Sequence, residues 1–372
     1  MKRLLSLALA VLMAAALFLA GGAARYARAE EGDEDGDPAN PYVGLWWIAG
    51  RIENSTYTPA EEAEEQIYMD FLPNGLIHLA VVTGQNAEED YLAYVVTEEN
   101  QLILLDGDEP IPAEFDEEAE AIVITSDDDA DTFITFLRQV KTDPLPDVFA
   151  LVDQTGEEQL YTGCKLIREG QALDLAESVT IMEEDPESYY SLALRPDGTG
   201  HLQLGSEAEG ADILWNETQF IAKGKEDKPY AYTRAGNHIV LSIDDALSIE
   251  FAPSSEVMAL VTLVTWELEN IPPVISEELA GTWELIRYTE HGAEVKAGDG
   301  TLSMDLTLDR NGTAVLSDSS EGEGSGYRLT PKGENAFVLS SGGVELYELK
   351  YDGTNMILTM PDRELFFKRT DG

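Results

Sequence analysis

Cysteine is nearly missing from this 372-residue chain: it has one, Cys164, beside four histidines. One cysteine cannot close an internal disulfide, and it cannot supply the several thiolates of a cysteine zinc site or an iron–sulfur cluster. Basic residues are scarce as well. There are 23 Lys plus Arg against 72 Asp plus Glu, a formal net charge of −49. Nucleic acids and anionic membranes are polyanions, so a chain of this sign does not coat either one. Helical periodicity is almost absent, and no G-x-S-x-G, H-E-x-x-H, P-loop or dinucleotide fingerprint occurs. What the chain does have is a 44% apolar fraction, enough to build a core.

The N-terminus reads as an address. Lys2 and Arg3 precede an apolar stretch from Leu4 to about Ala20, interrupted only by Ser6, and Ala27-Arg28-Ala29 stands just before acidic Glu30. A basic start, an apolar run and an A-x-A site are the layout of a secretory signal peptide over residues 1–29. The alternative is an uncleaved segment that tethers the chain to the membrane, since the run is long enough to span. Residues 30–41, acidic and containing Gly and Pro, read as a disordered lead-in. The expected location is secreted and extracellular.

The rest of the chain repeats. Gly44-Leu45-Trp46, Gly163-Cys164-Lys165 and Gly281-Thr282-Trp283 line up, with glycines 119 (163 − 44) and 118 (281 − 163) residues apart. Each unit then carries a turn pair: Asn74-Gly75, Asp197-Gly198 and Asn311-Gly312. Such pairs accept the positive φ that a tight hairpin needs. Ahead of each pair, apolar residues alternate with polar ones: Ile67, Met69, Phe71; Tyr190, Leu192, Leu194; Met304, Leu306, Leu308. A period of two describes a strand with one face in a core. Each unit closes on a strand-like run, Ile134–Arg138, Leu247–Phe251 and Leu365–Arg369.

Unit three holds about eight strand-like runs separated by turn residues. So many short antiparallel strands leave exposed edges unless the sheet closes on itself. The predicted fold is therefore all-β: three tandem small antiparallel up-and-down barrels after the signal peptide, over 42–140, 147–269 and 274–372. Val140–Pro146 and Asn270–Pro273 are Pro-rich linkers. Within unit two the Val/Thr-rich run 257–268 reads as an added strand, from its β-branching. Thr58–Gln66 reads as one short helix with Pro59 near its start.

Gly-x-Trp opening a barrel of this kind, with Arg near the end of its last strand, resembles the lipocalin family. More narrowly, each unit resembles the short lipocalin-like domains of exported Firmicutes proteins. That resemblance implies a Trp plugging the barrel base with an Arg packed across it as a cation–π pair. The pairs would be Trp46 with Arg138 and Trp283 with Arg369. Unit two departs from the pattern, with Lys165 in place of Trp and Ala252-Pro253 in place of the closing Arg. The resemblance also implies a small apolar ligand in the barrel mouth, although a barrel this small can be filled by its own side chains.

Chemistry-bearing residues are few. His78 and His201 each sit three residues after a turn glycine and face outward by the strand alternation, while unit three has Val315 there. His238 and His291 have no matched partner. Cys164, without a histidine near it in sequence, reads as an inert small side chain. The acidic clusters at Asp33–Asp35, Asp127–Asp131 and Glu183–Asp185 lack the Gly and Glu of an EF-hand loop. No cofactor is expected beyond weak calcium binding at such clusters. With 72 acids, a suitably spaced carboxylate pair carries no information about a hydrolase. The sequence therefore predicts a non-enzymatic exported binding protein whose partner is a small apolar ligand or an extracellular or cell-surface protein. The alternatives are a spacer or adhesion-type module with filled barrels and no ligand and, third, a hydrolase using acidic residues.

Overall fold

The computed structural model describes residues 40–141 and 158–370, apart from 54–55, 61–64, 85, 98–99, 107–108, 117, 129–130, 169–170, 206–209, 225–228, 245, 291, 299–301, 319–323 and 334. The predicted leader, nearly all of the lead-in, most of the first linker, the Asp33–Asp35 cluster and His291 lie outside these residues. The described chain forms three antiparallel sheets, each closed by pairing its first long strand with its last. Gly44–Glu53 pairs with Asp131–Gln139, Gln159–Arg168 with Leu247–Pro253, and Gly281–Glu290 with Glu364–Arg369. Eight strands make each barrel. A ninth short strand, Thr56–Pro59, Gln171–Asp174 or Ala293–Lys296, lengthens the first one as a hairpin. The chain is thus three closed eight-stranded barrels. Thr56–Pro59 and the strand that starts at Gln66 occupy both ends of the expected short helix.

The alternating residues fill the barrels as the period of two requires. Met69, Phe71, Leu192, Leu194, Leu306 and Leu308 are all buried, each in its own barrel's core cluster. The turns between them differ from a two-residue hairpin. Gly75, Gly198 and Gly312 alone take positive φ, at 83°, 81° and 84°. Each glycine amide bonds the carbonyl three residues back, at Leu72, Arg195 and Asp309. This is a tight turn followed by a left-handed glycine. Each turn glycine's carbonyl then accepts the amide of a third strand, from Tyr94, Trp215 or Leu329. The turn therefore ties three strands together. A Cβ at Gly312 would also lie 2.7 Å from Val274. Gly312→Ala should cost about 1–3 kcal/mol, read as a lower urea midpoint at unchanged slope; a parental midpoint would contradict the assigned conformation.

The register corrects two sequence expectations. Gly44 faces Phe71 and Gly281 faces Leu308, but the residue facing Leu194 is Gln159, not Gly163. Tyr161, opposite Leu192, therefore takes the tryptophan's place in barrel two, and Lys165 does not. Gly163 is required for another reason: a Cβ there would lie 2.7 Å from that of Tyr190. The second correction concerns Arg138. It faces Trp47, not Trp46, and is exposed. Adjacent residues point to opposite faces of a strand, so Arg138 does not pack across the Trp46 ring. Arg369 does face Trp283, and its guanidinium donates to the carbonyl of Glu278.

The run expected as an added strand is helical. It lies within α2, Ser254–Asn270, after the seven-residue α1, Leu175–Ile181. Ala259, Leu263 and Trp266, spaced i, i+4 and i+7, fall on one helix face. They share a cluster with Leu76, Tyr91, Ala93, Val95 and Leu105. Burial of that stripe overrides the β-preference of Val261, Thr262, Val264 and Thr265. The cluster residues of barrel one alternate with its interior set, so they lie on its outer wall. Two compact units result. One comprises the chain up to Glu157 together with Met258–Glu267, and the other comprises Glu158–Val257 with Leu268–Gly372.

Inside the second unit, α1 joins two barrels. Asp174 caps it by accepting the Glu177 amide at 3.0 Å. Glu177, buried, receives the Arg328 Nε at 2.6 Å and the Gly342 amide at 2.7 Å. The Ser178 hydroxyl accepts the Gly326 amide at 2.8 Å. Gly326 is glycine because a Cβ there would lie 2.6 Å from the Ser178 carbonyl.

Candidate functional site

The strand pairing of barrel two gathers residues that lie far apart in sequence. Gly163 faces Phe251 and Lys165 faces Glu250, so Cys164 is the extra residue of a β-bulge. Val240 faces Glu250 from the other side, which sets His238 and Glu250 on the same outer face, alternating with the buried Ile239, Leu241, Ile249 and Phe251. Glu256 arrives from the first turn of α2.

The contacts are close. His238 Nδ1 lies 2.7 Å from Glu250 Oε1, and His238 Nε2 lies 3.1 and 3.2 Å from the two Glu256 oxygens. The thiol of Cys164 donates to the Glu250 carbonyl at 3.3 Å. Lys165 Nζ stands 3.4 Å from both Glu250 oxygens. Hydrogen bonds donated by the ring to Glu250 and then to Glu256 raise the His238 pKa to about 9, against the lowering effect of burial. The same bond to His238 holds the Glu250 carboxyl below its ordinary range. Burial, and next the charge of Glu250, push the Cys164 thiol far above its usual value. A protonated thiol beside an imidazole engaged at both nitrogens is not an activated nucleophile. The Sγ of Cys164, a ring nitrogen of His238 and a carboxylate oxygen of Glu250 do, however, all lie within 4.8 Å of one another.

Sequence reasoning set His238 aside as partnerless and Cys164 as inert. The four residues span positions 164 to 256, and only the barrel register brings them together. One signal was available. His238 opens the penultimate strand and Glu250 sits in the last, each at the polar phase of an alternating run.

The other expected positions fall elsewhere. His78 points outward, stacks on Tyr91 with ring centroids 4.4 Å apart, and pairs with Glu89 at 2.9 Å. His201 lies 3.5 Å from Asp212. In the Glu183–Asp185 cluster, Asp185 accepts the Glu187 amide at 3.0 Å. Trp46 and Trp283 are both buried, and each indole donates to the carbonyl four residues earlier, Tyr42 at 2.7 Å and Leu279 at 3.1 Å.

No protein-family model matches the chain, and no curated protein does. Among solved structures, a protein of unknown function from the DUF3598 family of Nostoc punctiforme is 8% identical. The match covers 88% of this chain and 96% of that one, at a TM-score of 0.18. The isotype 1 transferrin binding protein B of Neisseria meningitidis is 10% identical, over 82% of this chain and 66% of that one, at a TM-score of 0.17. A putative DNA polymerase III beta subunit from Eubacterium rectale is 10% identical over 88% and 90%, at 0.15. Similarities this low carry no functional argument.

Proposed function

We propose that this chain is an exported, non-enzymatic interaction protein that binds a partner protein through the outer walls of its barrels. The observation that carries the reading is the filled interior. Trp46, Phe71, Leu102, Leu104 and Ile122 occupy the first barrel, Phe220, Ile239, Leu241 and Phe251 the second, and Trp283, Leu306, Leu358, Leu365 and Phe367 the third. Each set is one continuous cluster of side chains almost wholly out of water. An apolar ligand in a barrel mouth would have to displace that core, at a cost comparable to the cavity it opens. The leader layout at residues 1–29 supports export, and tandem barrels suit avidity, because linked weak contacts reinforce one another.

The test uses the chain from Glu30 onward, titrated with an environment-sensitive naphthalene sulfonate dye and with palmitate. We expect no saturable binding and no change in tryptophan fluorescence. Saturable dye binding, stoichiometric with the barrels and competed by palmitate, would overturn this reading in favour of an apolar-ligand carrier.

A further inference from the structure

We propose that Cys164, His238 and Glu250 form a zinc site on the outer wall of the second barrel, with Glu256 holding the histidine ring in place. The donor set is a thiol sulfur, an imidazole nitrogen and a carboxylate oxygen, the mixture that borderline-soft Zn²⁺ accepts. The three donor atoms already lie within 4.8 Å of one another. A tetrahedral zinc with bonds of about 2.0–2.3 Å needs them about 3.3–3.8 Å apart. Side-chain rotation at the surface end of the cluster supplies the difference. The open fourth position takes water.

The second carboxylate strengthens the assignment. A metal-bound histidine commonly donates its other ring N–H to a carboxylate, which fixes its tautomer and orientation. Here His238 Nδ1 faces the cluster while Nε2 is held by Glu256 at 3.1 Å. Binding would replace two protons with the metal: the thiol gives up one and Nδ1 the other, both passing to solvent, while the Nε2 proton stays on the ring and is donated to the Glu256 carboxylate. Thiolate and Glu250 carboxylate then balance the two positive charges of the ion. Lys165, nearly half exposed at 45%, can turn its ammonium into water as the metal takes its place beside Glu250. The His238 side chain keeps 22% exposure and that of Glu250 16%, which leaves a path for the ion.

The other two barrels serve as internal controls, because the same bulge occurs in each. Barrel one has Ala49 in place of Cys164, Phe136 in place of Glu250 and Ala121 in place of His238. Barrel three has Ile286, Phe366 and Asn355 at these positions. In barrel three Arg287, at the Lys165 position, lies over the Phe366 ring at 3.8 Å. In barrel one Tyr57 packs on Phe136. The three donors thus occur together in one barrel, and every one of them is absent from the others. An outer wall that only needed to be stable could have kept the aromatic solution.

Cobalt and zinc titrations of the chain from Glu30 onward test the site. Co²⁺ should produce a near-ultraviolet thiolate-to-cobalt charge-transfer band and tetrahedral visible bands, and one equivalent of Zn²⁺ should bleach them. Cys164→Ala should abolish the charge-transfer band. His238→Asn should weaken cobalt binding at least tenfold. Both variants place at the site a residue that another barrel already carries there, and a parental far-ultraviolet dichroism spectrum confirms that they fold. Glu256→Gln should keep the band but weaken binding by about 10–100-fold. The proposal is overturned if the parent gives no charge-transfer band at saturating Co²⁺, if the band survives in Cys164→Ala, or if His238→Asn binds as tightly as the parent.

Discussion

Trp283→Ala is expected to destabilise the third barrel by about 3–5 kcal/mol. The side chain is 2% exposed and packs against Tyr351 with ring centroids 5.8 Å apart. Its indole N–H is the donor that fixes the Leu279 carbonyl, and with it the lead-in to the first strand. Deletion therefore opens a large cavity and leaves a carbonyl without its partner. Trp283→Phe separates the two effects: most of the packing stays, and the loss should shrink to about 1–2 kcal/mol. Because several barrels unfold in one chain, a single melting curve is a poor readout. Hydrogen exchange resolved by peptide suits the question better. Strands Gly281–Glu290 and Glu364–Arg369 should lose protection while barrel one keeps its own. Equal protection in mutant and parent would remove Trp283 from its place as the barrel's anchor.

The second large effect is expected at Glu177. Its side chain is 8% exposed, and the carboxylate is bound at one oxygen by Arg328 and at the other by the Gly342 amide. Removing one member of a buried ion pair leaves the other charge less well compensated in a place where water reaches it poorly, at a typical cost of about 3–5 kcal/mol. The Arg328 side chain keeps 18% exposure, so water offsets part of the loss and the lower end of that range applies. Glu177→Ala should therefore lower the urea midpoint of the second compact unit by the equivalent of about 3 kcal/mol. Glu177→Ala combined with Arg328→Leu should recover part of it, because the cation that Glu177 had balanced is gone. A double variant as unstable as the single one would show that the pair matters through packing and not through charge.

These two sites mark how far the sequence could be read. Trp283 was legible because it sits in a G-x-W whose register is fixed by a turn glycine and a strict alternation. Those local features also implied closed antiparallel barrels. Glu177 was illegible. Nothing local distinguishes it from the other acids, and its partners lie 151 and 165 residues away. The second barrel misled for a related reason. Its opening tryptophan is replaced by Tyr161, and Gly163, kept for close packing on Tyr190, imitates the missing motif four residues late. The helix α2 was missed because its β-branched composition was weighed without the outer wall it covers. That wall had left a trace: Leu92–Val96 and Leu102–Leu105 are apolar on both faces, which a strand with one side in water does not need. The Cys164–His238–Glu250–Glu256 cluster depends wholly on which strands are neighbours, and a count of histidines cannot supply that.

The pairing of each barrel's first strand with its last has a mechanical consequence. Trp46 faces Gln139, Tyr161 faces Pro253 and Trp283 faces Arg369, so the chain enters and leaves each barrel at adjacent points on antiparallel neighbours. A pull on those two points would part the closing seam one hydrogen bond after another, as a zipper opens, instead of shearing the whole row at once. Under tension between two attachment points, barrels built in this way would yield at low force and lengthen stepwise, each releasing its own length of chain as a shock absorber does.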